Sequence, residues 1–367
     1  VRIESVEAIP FSIPFAKPVR FASGQVEVAD HVLVRVRTSD GVVGVAEAPP
    51  RPYTYGETQA SIVAAIEGLF APAVVGLPLL SREQVRARVG RTVGNPTAKA
   101  ALDMALWDAW GKTCGQPVHE LLGGFTDSLA VSHMVGFDDP AAMVAEAERV
   151  RDTYGITSFK VKVGRRPVHA DVAVVRALRA GLGEDVELYL DGNRGWTATE
   201  AAQALRLLDD VGLSRVEELD PADDVLARRW LVQRCPVPYV ADESAPTAAD
   251  VTREVLGGSA TMVSIKTART GFTDSTQVAG LCEGLGVPVA VGNQVDGSIG
   301  SACALAFGAS RRSTSLLSAE LSNWLDLADD LLTEPLVIVD GRMAVRSGPG
   351  TGIEVDEDKL TRYRTDR

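Results

Sequence analysis

From residue 128 onward the chain alternates in a way that admits few folds. Short apolar runs (SLAVSHMVG, SFKVKVG, VELYLDGN, SRVEEL, VPYVADES, MVSIKTA, VPVAVGN and TSLLSAEL) are separated by amphipathic stretches such as AAMVAEAERVRDTYG and ATEAAQALRLLDDVG. Runs of roughly four to eight residues rich in Val, Ile and aromatic side chains read as strands; apolar residues at three- and four-residue spacing read as helices. Eight strands alternating with helices predict an α/β fold, a (β/α)8 TIM barrel with right-handed parallel connections. The competing arrangement is an open doubly wound sheet, but no GxGxxG follows the first strand.

The first 50 residues have a different pattern. VRIESVEAIPFSI, VADHVLVRVRTSD and GVVGVAEA, the last two separated by a polar turn at Ser39–Asp40–Gly41, predict an antiparallel meander. Two helical stretches follow, TQASIVAAIEGLFAPAVVG and PTAKAALDMALWDAWGKTCG, the second with a proline near its start and Gly115 near its end. The expected organisation is an α+β capping domain over 1–125 and a barrel over 126–334. A C-terminal segment, 335–367, reads as a hairpin, a glycine-rich loop and a tail that packs back on the capping domain. No long linker separates the parts, so they should share an interface.

Composition narrows the function classes. Against 49 acidic residues stand 37 basic ones, and no basic run occurs, which argues against a nucleic-acid partner. Cys114, Cys235, Cys282 and Cys303 form no CxxC pair and read as scattered reduced thiols. The start, VRIESVEAIPFSIPF, is broken by charge and proline and lacks a signal-peptide core. No apolar stretch approaches the roughly 20 residues that span a bilayer. The expectation is a cytoplasmic protein with no membrane partner. His31, His119, His133 and His169 form neither HExxH nor a close pair, so zinc is a poor prospect, and His133 on its strand reads as structural.

The chemistry lies in the strand ends. In SFKVKVG, Lys160 and Lys162 are two apart and so share one face of a strand, with Val161 and Val163 on the other. The next strands end in LDGN (Asp191, Asn193), VEEL (Glu217, Glu218), ADES (Asp242, Glu243) and SIKT (Lys266). From Lys162 through Asp191, Glu217 and Asp242 to Lys266 the steps are 29, 26, 25 and 24 residues, one β/α unit each. Taken singly, LDGN is a turn and ADES a helix cap. Taken together, five successive strands deliver charge at one level of the C-terminal mouth, where barrels of this kind place their chemistry. Three converging carboxylates repel one another, and a divalent cation relieves that. Oxygen ligands without histidine or thiolate favour Mg²⁺, with Mn²⁺ as the alternative. A cation held by Asp191, Glu217 and Asp242 would bind a substrate carboxylate and stabilise the enediolate formed beside it. Lysines on the second and sixth strands would reach the adjacent carbon from opposite faces. Near a cation and a second ammonium, a lysine pKa should fall towards neutrality.

With these residues in place, the chain resembles the enolase superfamily in its muconate lactonizing enzyme (muconate cycloisomerase) subgroup, over nearly the whole length including the GPGTGIEVDEDKL ending. The resemblance implies a modified barrel with an N-terminal α+β capping domain completed by the C-terminal tail. It implies Lys160 as chiefly electrostatic, Lys162 and Lys266 as the proton-transfer pair, Asp191, Glu217 and Asp242 as metal ligands, and Asn193 and Glu243 as groups beside the metal. Members of the family usually follow the fourth-strand glutamate with Gln-Pro or Glu-Pro. Here Glu217-Glu218 precedes Leu219 and the proline comes at Pro221, which leaves Glu218 as the alternative ligand.

The implied reaction is lactonization of muconate, a dicarboxylate, in aromatic-compound catabolism. The alternatives within the superfamily are o-succinylbenzoate synthase and N-acylamino acid racemase or dipeptide epimerase; outside it, an inactive carboxylate-binding barrel. The eighth strand separates them: Glu320-Leu321 resembles the cycloisomerase pattern, whereas dipeptide epimerases usually carry Asp-x-Asp there. Glu320 would then lie beside the metal or substrate. Two capping-domain loops, AKPVRFASGQ and PPRPYTYGET, should set specificity, with Arg20, Arg51 and Tyr53 as candidates for the distal carboxylate. Syn or anti stereochemistry is left open. The resemblance also implies a homo-oligomer.

Overall fold

The computed structural model describes residues 1–21 and 24–366. Three long strands open the chain: β1 (Ile3–Phe21), β2 (Gly24–Thr38) and β3 (Val43–Ala48), antiparallel in the order β1-β2-β3. Towards the end of β2, Val34, Val36 and Thr38 are buried while Arg35 and Arg37 are not, the two-residue period of a sheet covered on one face. The cover is the helix Pro96–Cys114, started by Pro96 and stopped by Gly115 in a left-handed conformation. Gly44 allows the approach, since a Cβ there would stand 2.1 Å from the Ala105 carbonyl oxygen. Asp108, on the same helix and fully buried, accepts from Val45 N at 2.8 Å, Thr351 N at 2.7 Å and the Thr351 hydroxyl at 2.9 Å. One carboxylate thus ties sheet, helix and C-terminal tail.

The stretch AKPVRFASGQ, expected as a loop, is instead the far end of the β1–β2 hairpin, with pairing resuming at Val19↔Val26 after a register shift. Its Ala22 and Ser23 lie outside the described residues. The stretch TQASIVAAIEGLFAPAVVG is helical but passes through a π-helical turn at Ile66–Phe70.

The eight expected barrel strands are all present: β4 (Ser128–Val135), β5 (Ser158–Lys162), β6 (Glu187–Asp191), β7 (Leu213–Glu217), β8 (Tyr239–Ala241), β9 (Met262–Ile265), β10 (Val289–Val291) and β11 (Ala319–Glu320). Each from β4 to β9 pairs in parallel with the next, and β11 pairs in parallel with β4 and lies near β10, so the ring comes round on itself. A short hairpin, β12 (Ile338–Val339) and β13 (Arg342–Ala344), adds antiparallel to the start of β4. Beyond it Gly350 bonds to Gln116 and Val118, and Thr365 N reaches Pro10 O at 2.9 Å, so this stretch runs along the N-terminal region. One apolar core runs continuously from the β1–β3 sheet into the barrel. Trp107 Nε1 donates to Thr273 Oγ1 at 2.9 Å across the shared interface.

Candidate active site

All five residues of β5 are buried, so the lysine face of SFKVKVG points into the barrel and not to solvent. The parallel register sets Lys162 beside Asp191, Asp191 beside Glu217 and Glu217 beside Val240, one level across four strands. Lys160 Nζ lies 2.7 Å from Glu217 Oε1, 2.6 Å from Glu320 Oε1 and 3.3 Å from Asp191 Oδ2. Lys162 Nζ donates to Asp191 Oδ2 and Asn193 Oδ1, both at 2.6 Å. Across the mouth, Lys266 pairs with Asp242 Oδ2. Gly292 makes room for this arm, because a Cβ there would come within 2.9 Å of Lys266 Cε.

Asn193 donates its amide to Glu243 Oε1 at 2.9 Å; Glu243 Oε2 is buried with no hydrogen-bond partner among the described residues. Glu320 accepts from Asn293 N at 3.1 Å and from the Tyr189 hydroxyl at 3.3 Å. Glu217 turns to Lys160 inside the barrel, whereas Glu218, with φ at +40°, turns the other way to Arg228 at 2.8 Å and to the amides of Asp242 and Ser244. His133 bonds Ser322 Oγ at 3.0 Å and does not line the mouth, in keeping with its structural reading.

Burial works to raise the Asp191 and Asp242 carboxyls, but the ammoniums of Lys162 and Lys160 hold the first well below the usual carboxylate range, and Lys266 and Arg269 do so for the second. Glu217 goes the other way. Burial pushes its carboxyl well above its ordinary value, Asp191 and Asp242 add to this, and Lys160 does not offset them. Burial and the neighbouring Asp242 push Glu243 up to about 7. The expected fall of a lysine pKa belongs to the cation-loaded site; the residues by themselves act in the other direction. Burial acts to lower Lys160 and Lys266, yet Glu217, Glu320 and Asp191 raise the first well above its ordinary value, and Asp242 raises the second. As they stand, ammonium groups lie between the carboxylates, and no group of three or more His, Cys, Asp or Glu among the described residues is spaced to hold a cation.

The cavity over this cluster is lined by Lys160, Lys162, Asp191, Asn193, Glu243, Lys266 and Glu320 from the barrel and by Arg51, Thr54 and Tyr55 from the capping loop. Arg51 therefore reaches the mouth. Tyr53 does not; it is 80% exposed and lines only an adjoining, largely apolar cavity bounded by Phe15, Val26, Val28 and Pro52. Arg20 is exposed on the hairpin, donates to Gln25 Oε1 at 2.9 Å and lines neither cavity. Sequence reasoning missed Tyr55, Arg269, Asn293, Gln294 and Asn323. Of these, Arg269 carried a signal: one turn beyond Lys266, a cation on the same side of the chain. Tyr55, Asn293 and Gln294 sit in loops and Asn323 opens a single 3-10 turn, where no periodicity marks a side chain's direction.

Comparisons with known proteins agree with this geometry. Residues 5–123 match the family described as Mandelate racemase / muconate lactonizing enzyme, N-terminal domain, and residues 142–359 match Enolase C-terminal domain-like. Muconate cycloisomerase 1 of Pseudomonas putida is 33% identical over 99% of this chain and 98% of its own. L-Ala-D/L-Glu epimerase of Bacillus subtilis is 30% identical over 96% of this chain and 97% of its own. The crystal structure of muconate lactonizing enzyme from Mucobacterium smegmatis complexed with muconolactone is 63% identical, covers 100% of both chains and superposes with a TM-score of 0.99. With the barrel and its capping region both matched over nearly their whole length, this chain belongs to the mandelate racemase / muconate lactonizing enzyme family of the enolase superfamily.

Proposed function

We propose that this enzyme catalyses the lactonization of cis,cis-muconate, with a divalent cation, Mg²⁺ or Mn²⁺, held by Asp191, Glu217 and Asp242. The observation that carries the choice of reaction is the 63% identity, over both full lengths, to a muconate lactonizing enzyme bound to muconolactone. Glu320-Leu321 at the end of β11, in place of Asp-x-Asp, supports it against the epimerase reading that the Bacillus relative would otherwise favour. The donor set suits a hard cation: buried carboxylate oxygens without thiolate or imidazole, with Glu217 driven upward by burial and then by Asp191 and Asp242, and one Glu243 oxygen lacking any partner among the described residues. When bound, the cation would supply positive charge to the substrate carboxylate next to the carbon that gains or loses a proton.

The remaining roles fall to the chain's own residues. Lys162 and Lys266, on β5 and just after β9, would face the substrate from two sides and move the proton at that carbon. Lys160, pinned by Glu217 and Glu320, would stay an ammonium and contribute charge. Asn193 would hold Lys162 and Glu243 in place. Arg51, the one of the three loop candidates that lines the mouth, would meet the distal carboxylate. The division into 1–125, 126–334 and 335–367, a cytoplasmic location and a homo-oligomeric assembly belong to the same proposal. Free thiols throughout the described residues, and the lack of any described helix long and apolar enough to cross a membrane, are in keeping with that location.

Proton NMR of the product formed in D₂O tests this reading and settles the stereochemistry. The expected product is muconolactone carrying one deuterium at a single face. Deuterium exchange into L-Ala-L-Glu or N-succinyl amino acids, with muconate untouched, would overturn it in favour of a racemase or epimerase.

A further inference from the structure

The Arg269 guanidinium is buried where the capping loop meets the barrel. Nη1 donates to Asp242 Oδ1 at 2.7 Å and to the Tyr55 hydroxyl at 2.6 Å, and Nη2 donates to Ser264 O at 2.8 Å. The other Asp242 oxygen, Oδ2, takes Lys266. Lys266 and Arg269 belong to one turn, closed by Arg269 N to Lys266 O at 3.1 Å. A single carboxylate is therefore gripped by two cations of the same turn, and one of these is tied to the loop above. The loop is itself a compact turn, with Thr54 N and Tyr55 N both bonded to Arg51 O. Its Arg51 and Tyr55 side chains both line the mouth.

We infer that Tyr55 and Arg269 are positioning residues that couple the seating of the 51–58 loop to Asp242 and, through it, to Lys266. Because Arg269 occupies Oδ1, Oδ2 is the oxygen for which Lys266 and a cation would compete. Seating Tyr55 fixes Arg269, which fixes the rotation of the Asp242 carboxylate and thus which oxygen is offered. The loop that contacts substrate would then report its closure to the proton-transfer lysine. The inference rests on the reading of Asp242 as a cation ligand.

Hydrogen–deuterium exchange over residues 51–58, measured with and without Mn²⁺, tests it in wild type, Tyr55→Phe and Arg269→Lys. Without added cation, both variants should exchange the Thr54 and Tyr55 amides about tenfold faster, the scale of one charge-assisted hydrogen bond. Adding Mn²⁺ should slow loop exchange in wild type and leave both variants unchanged. Exchange equal to wild type in Tyr55→Phe without cation overturns the tether. Faster exchange with a wild-type response to Mn²⁺ overturns the coupling, leaving Tyr55 as a loop-packing residue. A wild type that binds no Mn²⁺ refutes the cation reading and the coupling with it, while the measurement without cation still decides the tether on its own.

Discussion

Glu217 and Glu218 are adjacent in the chain and face opposite environments, one towards Lys160 and the other towards Arg228. The sequence leaves Glu218 as the alternative ligand; the geometry turns Glu217 to Lys160 and Glu218 to Arg228. Two amide substitutions should therefore fail differently. Glu217→Gln should keep its melting temperature and weaken Mn²⁺ binding at least about tenfold by calorimetry. Glu218→Gln should keep the cation site's residues but lower stability in denaturant titration by about 3 kcal/mol, because Arg228 is left buried without its carboxylate. Removing either proton-transfer candidate, Lys162→Ala or Lys266→Ala, should lower kcat about 100-fold or more with the fold intact by circular dichroism. Strand-end residues were legible because the two-residue period of a strand and the length of a β/α unit fix both direction and height. Tyr53 and Arg20 were not, because loop direction is set by tertiary packing: the turn at Arg51 aims Tyr55 inward and leaves Tyr53 in solvent.

At the scale of elements, hydrophobic period and punctuation located all eight barrel strands and the helix Pro96–Cys114, whose ends carry their own proline and glycine signals. What they could not locate was contact between distant segments. Lys17-Pro18 in AKPVRFASGQ reads as a loop, yet the hairpin resumes pairing beyond it. Nothing in the C-terminal hairpin's own sequence says that β13 will pair with β4. The kink in Thr267–Leu285 was also invisible: Gly271, at φ +60° and ψ −168°, breaks the helix where Asp103 accepts from Phe272 N and Thr273 N. The closest approach of two elements gives the sharpest test. Gly44→Ala would drive a methyl against the Ala105 carbonyl and force β3 off the helix. It should destabilise the protein by about 1–3 kcal/mol, read as a shifted denaturant midpoint.

For the molecule as a whole, the seam between capping region and barrel carries a pH dependence. Asp296, behind the mouth and 2% exposed, has its carboxyl pushed up to about 8, by burial first and then by Glu47; Lys266 opposes this and Glu320 adds to it. Its unfolded value is about 3.9. Between these limits the unfolded chain releases a proton that the folded one retains, so this group's contribution favours the folded state less as pH rises from about 4 to about 8, and levels off above. Asp296→Asn stays uncharged and lacks that slope. Its melting temperature relative to wild type should rise between pH 5 and pH 8; a constant difference would show that Asp296 titrates normally. The ultraviolet absorbance of cis,cis-muconate tests the lactonization most directly, with purified protein and Mn²⁺, before and after chelation. If the protein lactonizes muconate, the conjugated diene signal should disappear with wild type, persist after the cation is stripped, and persist with Lys162→Ala or Lys266→Ala. A diene that survives wild type with the cation bound would contradict it.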